Sequence, residues 1–177
     1  GMSIDTLTGP HRWSVYGWAN NYNRKTKDYD NGGTLTCSGN TTLYGLWQRS
    51  VSFKYYNGAS ATSTTTSNRT QTSYNTTASA TGVDGVEVYT LATQSTYNWA
   101  PQGWVLNSTT STNTVTVTNN KVTPAANVDA NYYALYSRTA KIAYNANGGT
   151  GTTNNTTSTQ YFNAGSSNAN TLNMTLA

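Results

Sequence analysis

The chain is 177 residues long, carries a formal net charge of +4 and has charged side chains at only 9% of its positions. Such a surface differs from that of an ordinary cytosolic enzyme, which is rich in Lys and Glu. The one basic cluster, residues 24–27, is followed immediately by the acidic residues Asp28 and Asp30, so the sequence has no basic stripe that could bind nucleic acid.

In chain order, residues 1–12 are predicted to form an N-terminal segment without the basic start and apolar run of a signal peptide. No apolar run long enough to span a membrane follows, so we predict no membrane insertion in this fragment. The rest of the sequence is rich in Tyr, Thr and Val, which suit the pleated, half-buried surface of a sheet. We therefore predict a mostly β fold with little helix.

Period-two alternation and turn signals such as "DNGG", "SGN" and "NANGG" delimit the predicted strands. These strands are Val15–Ala19, Thr34–Cys37, Leu43–Trp47, Ser50–Tyr55, Gln102–Leu106, Asn113–Thr118, Asn131–Tyr136 and Ala140–Tyr144. For two segments the sequence leaves two alternatives of secondary structure. Residues 60–81, almost wholly Ser, Thr and Asn, fit either a long hairpin or a flexible loop. Residues 82–94 fit either a short helix or a strand.

Part of the sequence occurs twice. "TTLYGLWQR", residues 41–49, returns as "ANYYALYSR", residues 130–138, an offset of 89 positions, and the alternating runs that follow also match. Upstream, "YGWANN" around Trp18 matches "QGWVLN" around Trp104. Self-similarity of this kind is typical of repeated modules. The register predicts the C-terminal half of a unit at 13–49, a complete unit at 50–138 and the N-terminal half of another at 139–177.

Large apolar side chains at matching positions are predicted to form the core of each unit. They are Trp18, Leu43, Leu46, Trp47, Val51, Phe53, Trp104, Leu135, Tyr136, Ile142 and Tyr144. An aromatic residue that recurs in each unit more often packs in a core than contacts a ligand.

The order of these motifs resembles the Listeria-Bacteroides repeat, also known as the internalin B-repeat. The opening strand and its turn are "KIAYNANGGTG", the middle is Gly17-Trp18 and Gly103-Trp104, and the closing strand is "TTLYGLW" or "NYYALY". The resemblance implies β-grasp, ubiquitin-like units in tandem on large bacterial surface proteins, where they act as stalks or adhesive modules. The complete unit is longer than is usual in the family, and Tyr136 replaces the closing Trp.

Residues with reactive side chains are few. His11 is the only histidine and Cys37 the only cysteine, which excludes an internal disulfide and a zinc site built from nitrogen and sulfur ligands. Cys37 is predicted to be a small core side chain. The six carboxylates are scattered and offer no pair for acid–base work. We therefore predict no catalytic, metal or cofactor-binding residues, no cofactor and no enzymatic activity.

These observations lead to two hypotheses of function. The first is a non-enzymatic, extracellular repeat module of a bacterial cell-surface or cell-wall protein, acting as spacer, stalk or adhesion module that binds protein. The second is a carbohydrate-binding module that uses exposed aromatic rings, with Trp13 and Trp99 as candidate ligand contacts. The partner would be a surface protein or a glycan, and not a nucleic acid.

The half units at the two ends raise a further expectation. Each half would leave strand edges unpaired, and such edges are templates for pairing with another chain. Residues 139–177 of one molecule could complete residues 13–49 of another, or the ends could close within one chain. Self-association through the terminal half units is therefore predicted.

Overall fold

A computed structural model describes residues 2–3, 7–77, 82–151, 154–166 and 174–175 of the chain. All regular secondary structure in these residues is strand, and no helix occurs among them. The prediction of a mostly β fold is confirmed. The described strands are β1 (Met2–Ser3), β2 (Ser14–Ala19), β3 (Tyr29–Asp30), β4 (Thr34–Leu35), β5 (Tyr44–Tyr56), β6 (Thr64–Ser73), β7 (Val86–Glu87), β8 (Ala100–Leu106), β9 (Lys121–Val122), β10 (Asn131–Ile142) and β11 (Thr156–Asn163).

The first compact unit, called unit 1, consists of Gly1–Phe53, Ser67–Tyr89 and Thr116–Asn131. In it, β2 pairs antiparallel with β3 on one edge and with β5 on the other. Strand β6 also pairs with β5, and β1 with β4 and β7 with β9 form two short antiparallel pairs. Part of its core is a cluster of Trp13, Val83 and Ala126, against which the half-buried Trp47 packs.

The second compact unit, called unit 2, consists of Lys54–Thr66, Thr90–Val115 and Tyr132–Ala177. Its central strand is β10, which pairs antiparallel with β8 and with β11. The core is aromatic: Phe162 lies with ring centroids 5.6 Å from Trp99 and 5.7 Å from Tyr56, and Tyr56 lies 5.4 Å from Tyr136. Offset and edge contacts of this kind add to the stability that burial alone provides.

The two units have the same strand register around their Gly-Trp pairs. In unit 1 the paired residues are Val15 with Trp47, Gly17 with Leu46, Trp18 with Gly45 and Ala19 with Tyr44. In unit 2 they are Pro101 with Tyr136, Gly103 with Leu135, Trp104 with Ala134 and Val105 with Tyr133. Each ladder skips one residue, Tyr16 or Gln102, which marks a β-bulge at the same place. These are the residues that the sequence alignment sets against each other.

Glycine is needed at positions 17 and 103 because a later segment of the chain packs directly against the backbone there. The backbone N–H of Asp28 donates to the Trp18 carbonyl at 2.8 Å, and that of Val115 donates to the Trp104 carbonyl at 2.7 Å. A Cβ on Gly17 would lie 2.9 Å from the Tyr29 carbonyl oxygen and 2.7 Å from Lys27 Cδ. A side chain at this position would push the returning segment away from β2.

Several predicted strands have different bounds in the structure. Most of Leu43–Trp47 and all of Ser50–Tyr55 belong to one strand, β5, which begins at Tyr44. Asn131–Tyr136 and most of Ala140–Tyr144 are joined in β10. The joins are continuous because the polar residues between the predicted strands keep the extended backbone and pair with neighbours. Asn113–Thr118 is not a strand: it makes single backbone hydrogen bonds, such as that from the Val115 N–H to the Trp104 carbonyl, and an isolated bridge at Thr118.

The two open segments and the predicted divisions can also be compared with the structure. Strand β6 occupies much of residues 60–81, of which 78–81 lie outside the described residues, and residues 82–94 contain only the short strand β7. The compact units differ in bounds from the predicted segments 13–49, 50–138 and 139–177, because each unit takes three separate stretches of chain. Strand β11, within the predicted terminal half unit, pairs with β10 of its own chain.

Replacing Gly17 by Ala should lower the free energy of unfolding by about 1–3 kcal/mol, because the new methyl group meets backbone that cannot move aside cheaply. Urea unfolding of the two proteins measures the difference. Gly39→Ala is the matched control, since nothing lies within 4 Å of a Cβ there, and it should change stability by less than about 0.5 kcal/mol. Equal losses in both variants would contradict the close approach.

Candidate functional site

The predicted core positions are all at least partly buried. Those that are buried are Leu46, Val51, Phe53, Trp104, Leu135 and Tyr136. Those that are half-buried are Trp18, Leu43, Trp47, Ile142 and Tyr144. Trp18 and Trp104 share a register but differ in burial, and the indole N–H of Trp18 is buried without a hydrogen-bond partner among the described residues.

A buried arginine organises the core of unit 1. Arg49, only 4% exposed, lies with its Cζ atom 4.5 Å from the centroid of the Trp13 ring. Its Nε donates to Gln71 Oε1 at 2.8 Å, and its Nη atoms donate to backbone carbonyls, including that of Ala125 at 2.7 Å and that of Val128. These carbonyl dipoles and the face of the indole ring stabilise the charge of the guanidinium.

Unit 2 contains a cluster of the same composition. Arg138 lies with its Cζ atom 4.4 Å from the centroid of Trp99, and its Nε and Nη2 donate to Gln160 Oε1 at 3.0 and 2.8 Å. Nη1 donates to the Tyr97 carbonyl at 3.2 Å. Arg49 and Arg138 close the matching nine-residue stretches of the sequence, and Gln71 and Gln160 each follow their arginine by 22 residues.

The expectation that Trp13 and Trp99 are exposed ligand contacts is wrong. Their exposed fractions are 1% and 0%, because each ring is packed in a core and has a guanidinium beside it. The Trp13 indole N–H donates to the Ala126 carbonyl at 2.8 Å. Neither ring has a face that a sugar could reach.

A groove in unit 1 includes three aromatic rings that sequence analysis did not single out, those of Tyr22, Tyr44 and Tyr74. We call it the tyrosine groove; it has a volume of about 220 Å³, and its aromatic lining consists of Trp18, Tyr22, Tyr44, Trp47 and Tyr74. Its polar lining includes Asn21, Asn23 and Arg24.

Tyr22 is the central ring of this groove. Its ring contacts Tyr44 edge-on at a centroid distance of 5.7 Å and Tyr74 at 6.0 Å. Tyr22 is 63% exposed and Tyr44 is 38% exposed, so both rings can be reached from solvent. The only sequence signal for Tyr22 is an aromatic residue inside the polar run "NNYNR", outside any alternating pattern.

The corresponding place in unit 2 has a different chemistry. Ser108 follows Trp104 by four residues, as Tyr22 follows Trp18, and Asn163 follows Gln160 by three, as Tyr74 follows Gln71. Asn163 Nδ2 donates to the Ser108 carbonyl at 3.2 Å. Tyr133 is half-buried here, and Gly165 packs against it, since a Cβ on Gly165 would lie 2.5 Å from its ring. Unit 2 thus has hydrogen-bonded polar residues where unit 1 has tyrosine rings. The groove beside them, of about 270 Å³, is lined mainly by threonine and serine residues, with Tyr161 as its one aromatic ring among the described residues.

Ionisable groups elsewhere form local pairs. His11 Nδ1 lies 3.0 Å from Asp129 Oδ1, and Cys37 is half-buried and free. In the described parts of the chain no three His, Cys, Asp or Glu side chains come together as a metal site would require. Burial raises the pKa of Tyr136 to about 12, and its hydroxyl accepts a hydrogen bond from the Tyr56 backbone N–H at 3.1 Å.

Comparison with known proteins gave no matching family model, no matching curated protein and no matching solved structure. Within the described residues, no helical segment has the length and apolar character needed to cross a lipid bilayer. The site is therefore interpreted from its own geometry.

Arg49→Met should lower the free energy of unfolding by at least about 3 kcal/mol. The change leaves the buried Gln71 and two partly buried backbone carbonyls without their donor, and each unsatisfied buried group costs about 1–3 kcal/mol. Denaturant unfolding measures the loss. Arg24→Met is the control, because its ion pair with Asp28 is on the surface and such pairs contribute about 0–1 kcal/mol. A small loss at both positions would contradict the role of Arg49.

The raised pKa of Tyr136 predicts alkaline destabilisation. Above pH 10 the unfolded chain releases this proton while the folded protein retains it, so stability falls by about 1.4 kcal/mol per pH unit until about pH 12. Stability below pH 10 is unaffected by this group. Urea unfolding between pH 8 and 11.5 should show a shallower fall for Tyr136→Phe than for the wild type. Tyr161→Phe, at an exposed ring, should keep the wild-type profile.

Proposed function

We propose that the chain is a non-enzymatic repeat module of a bacterial cell-surface protein, acting as spacer, stalk or adhesion module. In this proposal units 1 and 2 contain two copies of one strand-forming unit of the Listeria-Bacteroides type. The observation that supports it is the arginine–tryptophan–glutamine cluster, which occurs once in each unit on corresponding residues of the sequence.

The clusters suit a module that works outside the cell without disulfides. A planar guanidinium donates several hydrogen bonds in fixed directions, so one side chain can tie separate chain segments together. Arg49 contacts β6 through Gln71 and the segment before β10 through Ala125 and Val128. Cross-links of this kind restrain the fold where Cys37 is the only cysteine.

The surface also supports this proposal. Only 9% of the residues are charged, and neutral Asn, Thr and Ser side chains supply the polarity. The β-grasp part of the proposal concerns the arrangement of the strands. Residues 82–94, whose sequence fits either a short helix or a strand, contain the short strand β7, so the units would be a variant with extended chain in place of the helix.

The proposal predicts that the folded protein is exposed on the outer surface of the cell that makes it, where antibodies and proteases can reach it. Antibodies raised against the folded chain should label intact cells, and brief protease treatment of intact cells should remove the signal. An antibody to a cytoplasmic protein is the control and should label only permeabilised cells. Labelling of this protein that also requires permeabilisation would overturn the proposal.

A further inference from the structure

The tyrosine groove of unit 1 has no explanation in the packing of the fold. Unit 2 has the same register around its Gly-Trp pair and the same arginine cluster, yet it has Ser108 and Asn163 where unit 1 has Tyr22 and Tyr74. The strand arrangement is therefore compatible with small polar residues at both places. Tyr22 instead keeps 63% of its surface exposed.

We propose that the tyrosine groove binds one uncharged sugar ring of a polysaccharide. This inference goes beyond the proposed role as spacer or adhesion module, because it assigns a ligand class and a binding site to unit 1. Tyr22, Tyr44 and Tyr74 are the contact residues.

The chemistry of the lining fits a sugar ring. One face of a pyranose presents C–H groups, which pack on aromatic rings, while its hydroxyl groups need hydrogen-bond donors and acceptors at the rim. The groove supplies both, with tyrosine rings in its wall and the amides of Asn21 and Asn23 beside them. Amides both donate and accept, as a hydroxyl does, so they can pair with either role of a sugar hydroxyl.

The charge of the groove argues against nucleic acid and acidic sugars. Arg24 is its one charged lining residue among those described, and its Nη1 lies 2.7 Å from Asp28 Oδ1. Its Nε donates to Thr26 Oγ1 at 2.9 Å. Sites for single-stranded nucleic acid combine stacking aromatic rings with a basic groove. The positive charge of Arg24 is already paired with Asp28, so the tyrosine groove lacks that basic character.

The size of the groove argues for a single ring. Its volume of about 220 Å³ is below the roughly 300 Å³ at which pockets for drug-sized ligands begin. A proline-rich peptide binds through residues spread along an extended helix of three residues per turn, which needs a longer row of aromatic slots. A polysaccharide can place one ring in the groove and leave its neighbours in solvent.

Affinity electrophoresis of the full chain tests the proposal. Native gels would contain one soluble neutral polysaccharide each: hydroxyethyl cellulose, laminarin, xylan, mannan or dextran. Migration of the wild type should be retarded by at least one of them. Decaproline and an oligothymidylate, measured by calorimetry, should give no binding.

Unit 2 supplies the substitutions for the variant. Tyr22→Ser with Tyr74→Asn converts the groove to the residues found at the corresponding places in unit 2, and should weaken binding at least about tenfold. Tyr161→Ser, at a 52% exposed tyrosine of unit 2, is the matched control and should bind as the wild type does. Near-ultraviolet circular dichroism checks that each variant is folded.

A second measurement does not depend on the variants. Titrating the wild type with the hexasaccharide of the retarding polysaccharide should shift the aromatic NMR signals of Tyr22 and Tyr44 and leave those of Tyr161 in place. The proposal fails if none of the five polysaccharides retards the chain, if the double variant binds as well as the wild type, or if decaproline or oligothymidylate binds instead. These results leave surface labelling unaffected, so the proposed function is tested separately.

Discussion

The core of unit 1 depends on a charged side chain held away from water. Moving a guanidinium out of water is costly, and the protein offsets the cost with carbonyl oxygens, an amide oxygen and the face of an indole ring around Arg49. Each of these partners must be in place for the charge to be tolerated. The geometry of Trp13, Gln71 and the segment at residues 125–128 is therefore specified more narrowly than apolar packing alone would specify it.

The same requirement explains why polar side chains occur in the interior. Gln71 is fully buried, and its amide nitrogen donates to the carbonyls of Asp84 and Pro124 at 2.8 and 3.0 Å while its oxygen accepts from Arg49. One glutamine thus joins strand β6 to two other segments and to the arginine. A chain with little Leu, Ile or Met gains specificity from such connections where a larger apolar core would otherwise provide it.

The sequence predicted the strand class and the register, but not the polar core or the groove. Period-two alternation around Val51 and Phe53 is a local signal, so β5 was found, although its length was underestimated because Gln48 and Arg49 looked like a break. Arginine in a strand is ordinarily taken as exposed, and the carbonyls that surround Arg49 are 75 or more residues away. The burial of Trp13 and Trp99 likewise depends on distant partners, Ala126 for Trp13 and Arg138 and Phe162 for Trp99. The groove unites Tyr22 with Tyr74, which no local pattern brings together.

The interleaved course of the chain has a consequence for how the protein is made. The Trp13 indole bonds to the Ala126 carbonyl, 113 residues further along, and unit 1 draws on the chain up to Asn131. A nascent chain leaving the ribosome cannot finish this unit until most of the sequence has been synthesised. Folding dominated by such distant contacts is slow, because long loops must close before the contacts form. The apolar side chains of the β2 and β5 segments therefore cannot be fully covered until the later segments arrive.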